Sequence, residues 1–145
     1  MEDSLGAVQA LFISKKGDSS RLIQDKIYLD EKGVLGDKFY GKDRDRSVLL
    51  STEESYEIAQ NKNIIMSYGA LGENILLDYN PYHLTIGDRL KIGIVILEIT
   101  QNCTICNHLS IIDKKLPKLL KNDRGIFVKV VKSGSIFLND KVYLV

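Results

Sequence analysis

Two thiols stand three residues apart, Cys103 and Cys106, in a stretch that is otherwise polar: Gln101, Asn102, Thr104, Asn107 and His108. A cysteine thiolate is a nucleophile, can carry a second sulfur atom as a persulfide, and is a soft ligand for molybdenum and related metals. Cys106 is the first candidate for such work, because it lies in an irregular, polar segment directly after the most strand-like run of the chain. An inert buried cysteine is the alternative. His108 can tune or protonate the thiol, since histidine titrates near neutral pH; as an exposed polar residue it would do neither. Cys103 can resolve an oxidised or persulfidated Cys106 by thiol exchange, or have no role. A zinc site of Cys103, Cys106, His108 and one remote ligand is a weaker reading, because no second cysteine pair exists.

A second set of residues suits anions. Arg46 and Arg124 each offer a rigid fork of donors that matches phosphate, with surface salt bridging as the alternative. Arg124 precedes Gly125 and a strand, where its side chain can reach over a pocket mouth. The run from Lys38 to Arg46 mixes Lys38, Lys42, Arg44 and Arg46 with Asp43 and Asp45, so it is a solvated loop or a local anion site. Glu73 and Asn74, after Gly72, can orient a ligand or fix their own loop by hydrogen bonds. Asp37, Asp88 and Asp140 each end a turn, where a carboxylate accepts from backbone amides. There is no phosphate loop of the Walker type, and Gly33-Val34-Leu35-Gly36 lacks the full dinucleotide pattern.

The elements that must position these groups are mostly short strands. Leu5 to Ile13, Leu22 to Leu29, Arg46 to Leu50, Ile75 to Leu77, Ile94 to Thr100 and Ile126 to Val131 carry strand character. Ser51 followed by Glu54 matches a capping box and predicts a helix from Thr52 or Glu53 to about Asn61, with Tyr56 and Ala59 facing inward. Pro117 begins a short helix. Ser133-Gly134-Ser135 reads as a tight turn, and Ile136 to Leu138 with Lys141 to Val145 reads as a closing pair around Asn139-Asp140. Many short strands joined by tight turns predict a mainly β fold: a closed or partly closed β-barrel with a few peripheral helices.

Length and composition fit one domain over residues 1–145, with 44% hydrophobic and 27% charged residues, ordinary for a folded chain. The balance of 20 Lys plus Arg against 19 Asp plus Glu gives no global attraction to nucleic acid or to acidic membranes. The longest apolar run, Ile92 to Ile99, is interrupted by Gly93 and Glu98, well short of the roughly 20 residues that span a bilayer. Met1-Glu2-Asp3 does not begin a secretory signal, so a cytoplasmic protein with reduced thiols is expected.

Taken in order, several segments resemble the MOSC domain family, named after the C-terminal domain of molybdenum cofactor sulfurase. They are Gly33-Val34-Leu35-Gly36-Asp37; Asp45-Arg46-Ser47-Val48-Leu49-Leu50 with Glu54; Gly69-Ala70-Leu71-Gly72-Glu73-Asn74-Ile75; Leu84 through Gly93; and Arg124-Gly125-Ile126-Phe127 with Gly134 and Asp140. The resemblance implies a β-barrel that binds the pterin-based molybdenum cofactor or handles sulfur on it. It places the family's cysteine on Cys106, as sulfur carrier or metal ligand with His108 beside it, and the cofactor contacts on Arg46, Glu73, Asn74 and Arg124. A sulfur donor or a molybdoenzyme is the implied partner. Many relatives have proline immediately before that cysteine, where this chain has Ile105. Larger relatives that reduce N-hydroxylated compounds carry additional domains, so a reductase module here would need a partner for electrons. A non-catalytic accessory role in cofactor maturation is the third reading. Pyridoxal phosphate binding is an association of the family as a whole, and no lysine here stands out for a covalent site.

Overall fold

Eleven strands and three short helices are present among the residues described by the computed structural model, which are 3–17, 21–104 and 107–145. The strands are β1 (Gly6–Ser14), β2 (Arg21–Gln24), β3 (Lys26–Asp30), β4 (Gly33–Val34), β5 (Val48–Thr52), β6 (Ile75–Leu77), β7 (Arg89–Ile92), β8 (Val95–Asn102), β9 (Ile126–Lys132), β10 (Gly134–Phe137) and β11 (Lys141–Leu144). The helices are α1 (Glu53–Gln60), α2 (Asn107–Ile112) and α3 (Leu116–Leu119).

Seven strands close a barrel in the circuit β1, β11, β7, β8, β9, β5, β6 and back to β1. All its pairings are antiparallel except β5 with β6, which are parallel and joined through α1. Strand β1 makes closure possible because one of its edges is shared. Gly6 and Ala7 pair with β11, whereas Leu11 to Ser14 pair with β2. On the other edge β1 meets β6, with a bulge between Val8 and Ala10. The extra residue changes which face the strand presents. Val8, Leu11 and Ile13 therefore pack with the barrel interior, while Ala10 and Phe12 point outward beneath α1.

The barrel is filled by residues such as Leu50, Ile75, Leu97 and Val128, all fully buried. A second apolar layer lies outside it, where Tyr56 and Ala59 of α1 pack with Phe12, Leu76, Leu109 and Leu116. The inward face expected of the first helix is thus the one observed. No helix among the described residues is long and apolar enough to cross a membrane.

Several local expectations are corrected. Leu22 to Leu29 is not one strand: the chain breaks at Asp25, β2 stays with β1, and β3 joins β10 and β4 in a separate three-stranded sheet. Strand β5 starts at Val48, and Arg46 sits before it in a 3-10 turn (Arg44–Arg46) that Asp43 caps by accepting from the Asp45 N–H. Thr52, not Ser51, is the N-cap of α1, and its side chain makes no capping bond. Ser51 Oγ is instead committed to Glu73. Gly134 opens β10 rather than forming a turn, and β10 and β11 do not pair with each other. The first pairs with β3, the second with β7 and β1. The turn aspartates do as expected: Asp88 accepts from Thr85 N–H and Asp140 from Phe137 N–H, each at 2.9 Å.

Candidate active-site cavity

A cavity of about 750 Å³ opens beside the barrel, a volume in the range of small-molecule and cofactor sites. Its wall includes five cationic side chains: Arg21, Lys38, Lys42, Arg46 and Arg124. Phe39, Tyr68 and Phe127 supply aromatic surface, and Cys103 also lines it. Among the described residues, Asp43 is the one acidic residue in the wall. The cavity is thus suited to an anion that also carries a flat apolar part.

Arg124 sits one residue ahead of Gly125, just before β9, and is 6% exposed. Its Nη1 donates to the Leu71 carbonyl at 2.9 Å and to Cys103 Sγ at 3.2 Å, and its Nε has no hydrogen-bond partner among the described residues. The backbone holds this corner tightly. Cys103 N–H donates to the Gly125 carbonyl at 3.0 Å, and Ser55 Oγ of α1 donates to the Asp123 carbonyl. A Cβ at Gly125 would lie 2.9 Å from Leu49 Cδ1 and 3.2 Å from the Leu50 carbonyl oxygen, so only glycine lets the strand start this close to β5. Arg46 is exposed at the mouth, with its guanidinium carbon 5.4 Å from the Phe127 ring centre, a cation–π contact that orients it.

Behind the wall lies a buried polar cluster. Glu73 is fully buried, accepts from Ser51 Oγ at 2.7 Å and from Tyr56 Oη at 2.6 Å, and has an Oε1 without a partner among the described residues. Tyr56 Oη accepts in turn from the N–H groups of Gly69 and Leu71. Asn74 is saturated by the protein: Oδ1 accepts from Leu49 N–H, and Nδ2 donates to the Phe12 carbonyl and to Asp37 Oδ1. Asp37 also accepts from Ser14 and Phe39 amides, as a turn-ending carboxylate should. Arg21 joins the cluster electrostatically. Burial lowers the pKa of its guanidinium from the usual value, while the charges of Asp37 and Glu73 hold it up and Arg124 opposes it.

The cavity therefore brings Arg46, Arg124 and Asn74 to one wall, with Glu73 buried behind it. Cys106 lies outside the described residues. His108 falls in α2, and nothing is described of its side chain. His83 is exposed beside Tyr79. The local anion site weighed for the Lys38 to Arg46 run is supported in that Lys38, Lys42 and Arg46 all line the cavity, whereas sequence reasoning missed Arg21 as a cavity residue and Tyr56 as the partner of Glu73. The signal for Arg21 was an arginine heading an apolar strand, which is too common to single out.

A family model of the MOSC domain matches residues 30–143. The chain belongs to the MOSC domain family. That family is associated with molybdenum-cofactor-related functions. The fold is similar to the crystal structure of the YUAD protein from Bacillus subtilis, at 16% identity and a TM-score of 0.84, covering 94% of this chain and 93% of that one. It is also similar to YiiM from Geobacillus stearothermophilus (16% identity, TM-score 0.70, 99% and 74% covered) and YiiM from Escherichia coli (19%, 0.66, 96% and 69%). At such identities the likeness concerns the fold alone. No curated protein matches the sequence.

In this MOSC domain the Gly69 to Gly72 turn forms part of the cavity wall. Gly72 has φ +88°, and a Cβ there would lie 2.9 Å from an Arg21 guanidinium nitrogen. Gly72→Ala is expected to cost about 1–2 kcal/mol through the left-handed backbone and to push Arg21 aside. Urea denaturation, with inorganic phosphate binding measured on the folded protein, checks both parts. Unchanged stability together with unchanged phosphate binding would contradict them.

Two buried hydroxyls link stability to pH. Burial first, then the charge and hydrogen bond of Glu73, hold the Tyr56 phenol protonated far above tyrosine's ordinary range. Burial does the same for Tyr82, which lies 2.8 Å from Ser55 Oγ. Both folded-state pKa values are raised. The stabilisation is therefore complete below the unfolded value of about 10 and is lost as pH rises above it, by about 1.4 kcal/mol per pH unit for each group. Urea denaturation at several alkaline pH values should show a shallower loss in Tyr56→Phe than in the parent. Equal slopes would contradict the assignment.

Proposed function

We propose that the cavity is an anion-binding site for the molybdenum cofactor, and that the protein binds this cofactor or transfers sulfur to or from it. The observation that carries the reading is Arg124, a buried guanidinium on the cavity wall whose Nε–H has no partner among the described residues. Leaving a buried charged donor unpaired costs free energy that an incoming acceptor recovers.

The residues present suit the group. Arg124 and Arg46 would hold its phosphate, with Arg21, Lys38 and Lys42 adding positive charge. Phe39, Tyr68 and Phe127 offer faces for a flat ring system. Glu73 and Asn74 serve the site through the loop they fix: Asn74 ties β5 to β1, and Glu73 anchors Tyr56, which holds the Leu71 amide. When bound, the cofactor would supply two-electron redox and oxygen-atom transfer chemistry. The family resemblance assigns to Cys106 the soft ligand or persulfide carrier.

The test is a titration of cofactor-free protein with released molybdenum cofactor. Arg124→Gln should weaken binding about 10- to 100-fold, the loss of charge-assisted hydrogen bonds, and Arg46→Gln by less, because its exposed charge is screened. Persulfide on Cys106, measured by mass spectrometry of freshly purified protein, tests the sulfur arm. Equal cofactor affinity in the parent and both arginine variants would overturn the assignment.

A further inference from the structure

One sulfur on the cavity wall has no part in the reading above. Cys103 is a free thiol, 3% exposed, and it lines the cavity. It packs with Leu49 and Phe127. Its backbone N–H is committed to the Gly125 carbonyl, which anchors the main chain here, and its side chain is buried. Its Sγ accepts from Arg124 Nη1 at 3.2 Å, while Arg124 Nε, also buried, has no partner among the described residues. The guanidinium that contacts Cys103 Sγ thus also carries a donor with no partner among the described residues.

We propose that Cys103 is a covalent sulfur-acceptor site, loaded by a small-molecule persulfide that enters the cavity and held there by Arg124. The inference rests on the reading of the cavity as a sulfur-handling site and adds a second residue to it. Cys103, after giving its proton to solvent, attacks the outer sulfur of the donor R–S–SH. The Cys103–sulfur bond forms as the donor's S–S bond breaks. The leaving thiolate R–S⁻ takes up a proton, giving R–SH and Cys103–S–SH. One sulfur atom moves and no external oxidant is consumed.

Two features favour the product. The added sulfur lies one bond beyond Sγ and carries negative charge when ionised, so the guanidinium that already contacts Sγ is its natural partner. Leu49 and Phe127 shield the inner sulfur from water. Burial also points to the donor class, because Cys103 is reached from a cavity of small-molecule size.

The experiment treats Cys106→Ser protein with glutathione persulfide and follows intact mass, then maps the modified residue by alkylation and peptide mass spectrometry. The expected result is the gain of one sulfur atom on Cys103, abolished in Cys103→Ala/Cys106→Ser. Loading should slow at least about tenfold in Arg124→Gln, and less in Arg124→Lys, which keeps the charge but loses the fork. Circular dichroism confirms that each variant is folded, and mapping on Cys106→Ser stands without any arginine variant. If Cys106→Ser takes up no sulfur while the parent loads on Cys106, this inference is overturned and the sulfur-handling reading survives. If the parent loads on neither cysteine, both fall. Loading of Arg124→Gln at the parental rate overturns the role given to Arg124.

Discussion

A charged guanidinium held inside the protein is the constraint on which the site depends. Arg124 ties together three segments distant in sequence: the start of β9, the Gly69 to Gly72 turn through the Leu71 carbonyl, and the end of β8 through Cys103. Burying such a charge is costly unless neighbours compensate. At Arg124 the Leu71 carbonyl and Cys103 Sγ accept from Nη1, and beside it Arg21 is held charged by Asp37 and Glu73, the latter fixed by hydrogen bonds from Ser51 and Tyr56. Of the residues whose buried polar atoms stay unpartnered among the described residues, Arg124 lines the cavity and Glu73 lies behind it.

The barrel makes this arrangement rigid. Closing the sheet satisfies the strand edges that would otherwise be open, and the interior of Leu, Ile and Val side chains fixes β5, β6 and β9 relative to one another. The parallel β5–β6 pair matters most for the site. The connection between these strands contains α1, which carries Ser55 and Tyr56, and the glycine turn, which carries Leu71 and Gly72. One crossover thus delivers the hydrogen-bonding scaffold on one side and the cavity wall on the other.

Much of this was legible in the sequence, for local reasons. The run of β-branched residues before Thr100 marked β8, and the inward spacing of Tyr56 and Ala59 marked α1. Arg46 and Arg124 could be singled out as anion contacts, and both line the cavity. What was not legible depends on contacts across the chain. Ser51 and Glu54 have the spacing of a capping box, but Ser51 is drawn to Glu73, 22 residues away. The alternation through Leu22 to Leu29 conceals a change of sheet at Asp25, because periodicity reports a buried face and not a partner strand. For the same reason β10 and β11, adjacent in sequence, were expected to pair although each finds a distant strand. Arg21 reaches the cavity with its guanidinium where a side chain at Gly72 would crowd it, a relation between residues 51 positions apart.

The most direct measurement is the Arg124 Nε–H resonance in a nitrogen-15 NMR titration with released molybdenum cofactor. The account predicts a large saturable shift of that resonance, with the side-chain signals of Arg21 and Arg46 moving over the same concentration range. An Arg124 signal that stays fixed while the cofactor binds elsewhere on the domain would contradict it.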